Sequence, residues 1–137
     1  MKNATTSLFV VAALMLSSCA TNNRSTCPFA KHKAGGIEHI VLAWLKNPGN
    51  KDEQTKLIAA AKALKADIKE VKSLAVGRAL PSDRDVVDDS FDMALVMHFD
   101  SPEALASYEK DPVHVKAVTD TLKPLTKKIV VHDIVNE

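Results

Sequence analysis

The chain has 137 residues, 46% of them hydrophobic and 26% charged, and its 18 lysines and arginines nearly balance its 17 aspartates and glutamates. This length allows a single domain. The near-neutral charge leaves no basic surplus for phosphates, so the composition argues against a nucleic-acid partner and against electrostatic attachment to an anionic membrane.

The N-terminus has the layout of a secretory signal. Lys2 supplies a positive start, residues 8–16 form an apolar run, and Ser17 and Ser18 are the small residues that a signal peptidase needs before its cut. The apolar run is too short to cross a bilayer as a helix. The pattern therefore predicts a signal peptide over residues 1–18.

The residue after this signal is Cys19. Leu16-Ser17-Ser18-Cys19 resembles the lipobox of bacterial lipoproteins, whose cysteine is lipidated and becomes the mature N-terminus. This resemblance implies that lipid on Cys19 anchors the protein to a membrane of the bacterial cell envelope, on its periplasmic or extracytoplasmic side. An ordinary cleaved signal and an uncleaved apolar N-terminus remain the alternatives.

Residues 20–36 are polar, contain Pro28 and end in two glycines, without a periodic apolar pattern. We therefore interpret residues 19–36 as the lipidated cysteine and a flexible tether, followed by a domain over residues 37–137. Cys27 lies in this tether. It is interpreted either as an exposed thiol without a function or as half of an intermolecular disulfide between two tethers.

The first half of the domain predicts a strand, a helix and a strand. Residues 37–46 are rich in β-branched and aromatic residues, and residues 40–45 are apolar at every position, so both faces of this strand should be covered. Asn50 can cap a helix, with Glu53 placed as in a capping box. Apolar residues at helical spacing follow to Ile68, and residues 71–79 return as a strand.

The second half repeats the order strand, helix, strand. An acidic loop over residues 80–90 precedes an alternating strand over 91–99. Ser101-Pro102-Glu103 opens a helix through about residue 109. Asp111-Pro112 interrupts this helix, a second helical segment reaches Leu122 or Leu125, and residues 127–135 form the last strand.

The order β-α-β-β-α-β predicts an α+β, ferredoxin-like fold, with a four-stranded antiparallel sheet and both helices on one face. The first strand poses a problem, because Ile40, Leu42 and Trp44 point to one side of the sheet and residues 41, 43 and 45 to the other, and the helices of a single copy cover only one of these two sets. Two copies can solve it by packing sheet against sheet, so the pattern predicts a homodimeric α/β barrel.

The chain resembles the stress-responsive α/β-barrel family, also called the Dabb domain. The resemblance covers residues 37–137 and is carried by residues 39–45 (HIVLAWL), 91–99 (FDMALVMHF), 101–108, 108–114 (YEKDPVH) and 130–133 (VVHD). It implies a dimeric ferredoxin-like barrel, most members of which have no assigned reaction. One plant branch is a polyketide cyclase with a Tyr and a His at the spacing of Tyr108 and His114.

Tyr108 and His114 are therefore the candidate catalytic residues. A neutral histidine is a good general base near pH 7, and a tyrosine hydroxyl can polarise a carbonyl, which together suit proton abstraction beside a carbonyl group. The alternative is that Tyr108 packs over the sheet and His114 stabilises the helix break. Where the cyclase has a further pocket histidine this chain has Met93, which makes the pocket more apolar.

The candidate ligand-binding residues are His39, Trp44 and Met93. His39 is also expected near His98, His132 and Asp133 at one edge of the sheet. A metal site there is the weaker interpretation, because strand alternation can place these residues on opposite faces. We expect no metal and no cofactor.

The sequence thus predicts a lipid-anchored homodimer that binds a small apolar ligand in the cell envelope. One alternative is a cofactor-free enzyme acting on a carbonyl or polyketide-like compound through His114 and Tyr108. The other is a relative of the dimeric-barrel monooxygenases, which rests on the shared architecture alone.

Overall fold

The computed structural model describes residues 33–137. The predictions for the signal peptide, Cys19 and Cys27 fall outside these residues. The strands are β1 (Ile37–Leu45), β2 (Ser73–Gly77), β3 (Met93–Phe99) and β4 (Thr126–Val135). The helices are α1 (Lys51–Asp67), α2 (Pro102–Lys110), α3 (Pro112–Ala117) and the short α4 (Lys123–Leu125), with a π-helical turn at Val118–Leu122 between the last two.

The four strands form one antiparallel sheet in the order β2-β3-β1-β4. The predicted ferredoxin-like α+β fold is therefore confirmed. Strand β1 begins at Ile37, the predicted start of the domain, and two further backbone bonds precede it: Gly35 N donates to Asn136 O and Asn136 N donates to Gly36 O. The end of the predicted tether thus continues the pairing of β1 with β4.

Helix α1 begins where the sequence predicts. The side chain of Asn50 accepts hydrogen bonds from Asp52 N and Glu53 N, two of the amides that a helix N-terminus leaves without partners. A reciprocal capping box does not form. Glu53 Oε1 accepts from Asn47 Nδ2 instead, and Asn50 N donates to Asn47 O.

The second helical region is broken, as predicted, and its breaks follow from two prolines. Asp111 ends α2 and caps α3, accepting from Val113 N, with Pro112 at the first position of α3. Further on, Lys123 N donates to Val118 O, five residues back. Pro124 follows this π turn and has no N–H with which to continue an α-helical ladder.

The two faces of the sheet differ in what covers them. One face points toward the helices and forms the core with them. Its residues on the sheet include Val41, Ala43 and Leu45 of β1 and Met93, Leu95, Met97 and Phe99 of β3, and the helices contribute Leu57, Ala61, Leu64 and Tyr108. No helix within residues 33–137 covers the opposite face, which we call the open face. It consists of Glu38, Ile40, Leu42 and Trp44 of β1, Ser73, Ala75 and Gly77 of β2, Ala94, Val96 and His98 of β3, and Lys128, Val130, His132 and Ile134 of β4.

Within residues 33–137, none of the helices has the length and apolar character that crossing a membrane requires.

Candidate functional site

A cavity of about 390 Å³ lies between the helices and the sheet. Its walls are largely aliphatic and come from α1, β1, β3, β4 and the broken helix: Val41, Leu57, Ala60, Ala61, Leu64, Met93, Leu95, Ala117, Val118, Leu122, Ile129 and Val131. Four further lining residues carry polar groups: His39, Tyr108, Glu109 and His114. An apolar chamber with a few grouped polar side chains is the usual form of a small-molecule site.

His39 is held by a carboxylate. It lies on β1, only 7% exposed, and its Nδ1 is 2.7 Å from Oδ1 of Asp133, its partner across the β1–β4 ladder. An ionised carboxylate only accepts hydrogen bonds, so Nδ1 carries the proton. In the neutral ring Nε2 is then the basic atom, which is the tautomer that a general base of this kind needs.

Tyr108 stands between the two histidines of the cavity. Its ring centroid lies 5.9 Å from that of His39 and 4.3 Å from that of His114. Burial, reinforced by the nearby charge of Glu109, raises the pKa of the Tyr108 hydroxyl far above its ordinary value. The phenol therefore stays protonated and remains a hydrogen-bond donor at physiological pH.

His114 comes from the first turn of α3, which the proline break turns back toward Tyr108. Its Nδ1 lies 3.1 Å from the backbone oxygen of Glu109, and a carbonyl oxygen can only accept. The proton of the neutral ring is therefore on Nδ1, and Nε2 is the basic atom here as well. The break at Asp111-Pro112 thus sets the orientation of a polar cavity residue.

The structure brings together His39, Met93, Tyr108 and His114, which were candidates from the sequence, but it places Trp44 elsewhere. Trp44 lies on the open face, where its Nε1 donates to Ser90 Oγ and Lys128 Nζ sits 4.2 Å from its ring centroid. Side chains alternate along a strand, so Trp44 and His39 point to opposite sides of the sheet. Trp44 does not line the cavity.

The remaining histidines at this end of the sheet are also separated from the cavity. His98 lies on the open face with Nδ1 2.8 Å from Glu38 Oε1, and the exposed His132 belongs to the same face. Within residues 33–137, no three His, Cys, Asp or Glu side chains converge as metal ligands would.

Sequence reasoning noted Asp133 but did not recognise it as the partner of His39, and it missed Glu109. The signal for the first was available: the two residues lie near the start of β1 and the end of β4, which are neighbouring antiparallel strands. The small residues Ala60, Ala61 and Ala117, which leave the cavity open, give no signal that distinguishes them from ordinary helix alanines.

The family model described as the stress responsive A/B barrel domain matches residues 37–136. This chain therefore belongs to that family. No functionally curated protein matches it.

Solved structures share the fold. A Dabb family protein from Mesorhizobium loti is 25% identical, with a TM-score of 0.63 over 75% of this chain and 98% of that one. A dimeric ferredoxin-like protein of unknown function from Thermobifida fusca is 25% identical, with a TM-score of 0.60 over 76% and 93%. Hydroxynitrile lyase from Passiflora edulis is 21% identical, with a TM-score of 0.67 over 77% and 96%, and this similarity shows the fold alone.

Proposed function

We propose that this protein is an envelope-anchored homodimer that binds a small, largely apolar molecule carrying one carbonyl or hydroxyl group. The observation that carries the proposal is the cavity of about 390 Å³, aliphatic on most sides and polar where His39, Tyr108 and His114 meet. The aliphatic walls favour an apolar body through the hydrophobic effect, and the polar group fixes its orientation.

The polar residues define what the ligand's functional group can be. The protonated Tyr108 donates a hydrogen bond, whereas the neutral form of each imidazole accepts one at Nε2. Glu109 lines the same cavity, and Asp133 stands behind His39. Two carboxylates near one end disfavour an anionic ligand, so a neutral oxygen-bearing group suits the site best.

Self-association is supported by the open face. Its centre is aliphatic, with Leu42 of β1 paired between Ala94 of β3 and Val130 of β4. Apolar surface of this kind on a sheet without covering helices is typical of a protein interface. The dimeric relative from Thermobifida fusca has the same fold.

Anchoring rests on the sequence of residues 16–19, which matches a lipobox at the end of an apolar run. With 18 basic and 17 acidic residues the chain has no charge surplus that could hold it at a membrane. Acyl chains on Cys19 would supply that attachment, and stable anchoring requires more than one chain.

The ligand proposal is tested with 2-naphthol, a neutral apolar fluorophore with one hydroxyl group, titrated into the detergent-solubilised full chain. Ala60→Phe fills the cavity from α1, and Ala59→Phe, one residue away and outside the cavity lining, is the matched control. We expect saturable binding that weakens at least tenfold in Ala60→Phe only. Equal binding by both variants, or none by the wild type, would contradict the proposal.

A second candidate function is cofactor-free acid–base catalysis, favoured by the His39–Asp133 pair beside a protonated tyrosine. In an aldol-type closure the base takes a proton from the carbon next to a carbonyl, and Tyr108 donates a hydrogen bond to the carbonyl oxygen on which negative charge develops. In cyanohydrin cleavage the base takes the hydroxyl proton, the bond to the nitrile carbon breaks as the carbonyl forms, and the protonated base returns the proton to the departing cyanide. The sequence analysis assigned the base to His114, and the geometry adds His39, whose Nε2 is basic for the same reason. The lyase from Passiflora edulis shows that this fold can carry an enzyme.

Cyanohydrin cleavage and aldol-type ring closure are the two reactions to assay first. Tyr108→Phe removes only the hydroxyl, His114→Ala and His39→Ala each remove one base, and each should lower kcat by about 100-fold if the residue acts in catalysis. Turnover that survives all three changes would exclude catalysis at this site and leave ligand binding standing.

A further inference from the structure

The loop between β2 and β3, residues 78–92, projects the two most exposed large hydrophobic side chains of residues 33–137. We call it the arm. Leu80 is 83% and Val86 is 90% exposed. Neither contributes to the core, and scattered single hydrophobics are normal on a surface, but two on one ordered loop suggest a contact surface.

The arm holds its own shape. Ser82 N donates to Asp89 Oδ2 and so joins the two sides of the loop. Within it, Val87 N donates to Arg84 O, and Ser90 N donates to Asp88 Oδ1. These bonds fix a compact loop in which the exposed Val86 lies within the turn that Val87 N and Arg84 O close. A loop with a fixed shape and an apolar tip is suited to docking because little conformational entropy is lost on binding.

The base of the arm is continuous with the open face. Ser90 Oγ accepts from Trp44 Nε1, and the ring of Phe91 meets that of Trp44 edge to face with centroids 6.4 Å apart. Trp44 belongs to the open face, so the arm extends this surface beyond the sheet. A partner that packs on the open face at Trp44 therefore also meets the base of the arm.

The charge of the arm selects its partner. Five aspartates against two arginines give residues 78–92 a net charge of −3. An anionic lipid surface would repel such a segment, so membrane contact is disfavoured. The complementary surface on this chain is the start of β4, where Lys127 and Lys128 are adjacent and exposed.

We propose that in the homodimer the arm of each protomer docks on the start of β4 of its partner, with Val86 and the arm's aspartates against Lys127 and Lys128. The inference rests on the proposed dimer. With the sheet order β2-β3-β1-β4, a two-fold axis parallel to the strands lays the β2 edge of one copy over the β4 edge of the other.

The register makes this arrangement consistent at the strand ends. Gly77, where the arm begins, pairs with Ala94 near the start of β3, and Leu45 at the end of β1 pairs with Thr126 at the start of β4. Both elements lie at the same end of the sheet, and an axis parallel to the strands preserves that end. An axis across the strands would instead bring the arm to the start of the partner's β2, beside Lys72, and the position of the crosslink distinguishes the two arrangements.

The test is photocrosslinking of the full chain in detergent, in a Cys27→Ser background. Val86→Cys is labelled with a benzophenone maleimide, and the adduct is located by mass spectrometry. We expect a crosslinked dimer joined to a peptide spanning residues 123–131, with at least a fivefold lower yield in Lys127→Glu/Lys128→Glu. The same label at Lys62→Cys, on the exposed side of α1, should give no crosslinked dimer. The Cys27→Ser chain without an introduced cysteine, treated with the same reagent, controls for labelling at other cysteines.

Sedimentation in density-matched detergent separates the two ways of failing. A dimer in which the label at position 86 crosslinks to another segment, to lipid or to nothing overturns the arm contact and leaves the proposed dimer intact. A chain that sediments as a monomer overturns both.

Discussion

Nδ1 of His39 lies 2.7 Å from Oδ1 of Asp133, directly across the β1–β4 ladder. The register of two neighbouring strands thus builds a histidine–carboxylate pair into the wall of the cavity. His39 is buried on this wall, while Asp133 keeps 43% of its side chain exposed. The carboxylate faces Nδ1 and so fixes which nitrogen of the buried ring carries the proton.

Removing this carboxylate should therefore abolish the preference of His39 for the tautomer that carries its proton on Nδ1. In long-range ¹H–¹⁵N spectra above the histidine titration range, we expect wild-type His39 to show a protonated Nδ1 and a bare Nε2. Asp133→Ala should give a mixture of tautomers, while the exposed His132 is unchanged in both proteins and serves as the internal reference. A wild-type His39 protonated on Nε2 would contradict the assignment.

Tyr108 gives a direct optical test of its environment, because it is the chain's single tyrosine. Burial raises the pKa of its hydroxyl, so absorbance at 295 nm should show no ionisation around pH 10 until the protein unfolds. A raised folded-state pKa contributes stability that is complete below the unfolded pKa of about 10 and is lost as the pH rises above it.

The sign of this linkage is checked by urea unfolding. Between pH 9 and pH 11 the free energy of unfolding of the wild type should fall more steeply than that of Tyr108→Phe, which has no hydroxyl to ionise. Parallel curves, or a reversible titration near pH 10 in the folded protein, would show that the hydroxyl is solvated.

The open face should fail as an interface when a charge is placed at its centre. Leu42→Glu puts a carboxylate on the middle of β1, and two such charges would meet across the interface without compensation. We expect the dimer dissociation constant to rise by at least 100-fold in sedimentation equilibrium. Val115→Glu, on the exposed side of α3, is the control and should leave the dimer unchanged; dissociation in both variants, or in neither, would refute the assignment.

Lipid attachment is testable with the chain's two cysteines. In bacteria grown with alkyne-palmitate, the wild type should carry the label and partition into the membrane fraction, and Cys19→Ser should lose both properties. Cys27→Ser is the matched control and should retain them. Label that persists in Cys19→Ser would contradict lipidation at Cys19, whereas membrane association without label would point to the uncleaved apolar N-terminus instead.

Much of the fold was predictable because its signals are local. The alternation of β3, the caps Asn50 and Ser101 and the break at Asp111-Pro112 each depend on neighbouring residues, and each appears in the structure. Sequence predicted β2 over residues 71–79, whereas it spans Ser73–Gly77, since ladder partners on β3 decide where a strand ends.

The site was less predictable because it depends on register and on empty space. The face that each histidine occupies follows from strand alternation, which places His39 in the cavity but His98 on the open face. Trp44 was also predicted to bind ligand, yet it lies one position out of phase with His39 and Val41 on β1 and so faces the other side of the sheet. The cavity exists because Ala60, Ala61 and Ala117 leave volume unfilled between the helices and the sheet, and the local sequence around these alanines does not differ from that of ordinary helix alanines.

The most direct test of the central claim is an NMR titration of the isotope-labelled full chain with 2-naphthol. Binding in the cavity predicts that the largest chemical-shift changes fall on Ala60, Tyr108, His114 and Ala117, with resonances of the open face unchanged. Shifts concentrated around Leu42 and Trp44, or no saturable shifts, would contradict a ligand site between the helices and the sheet.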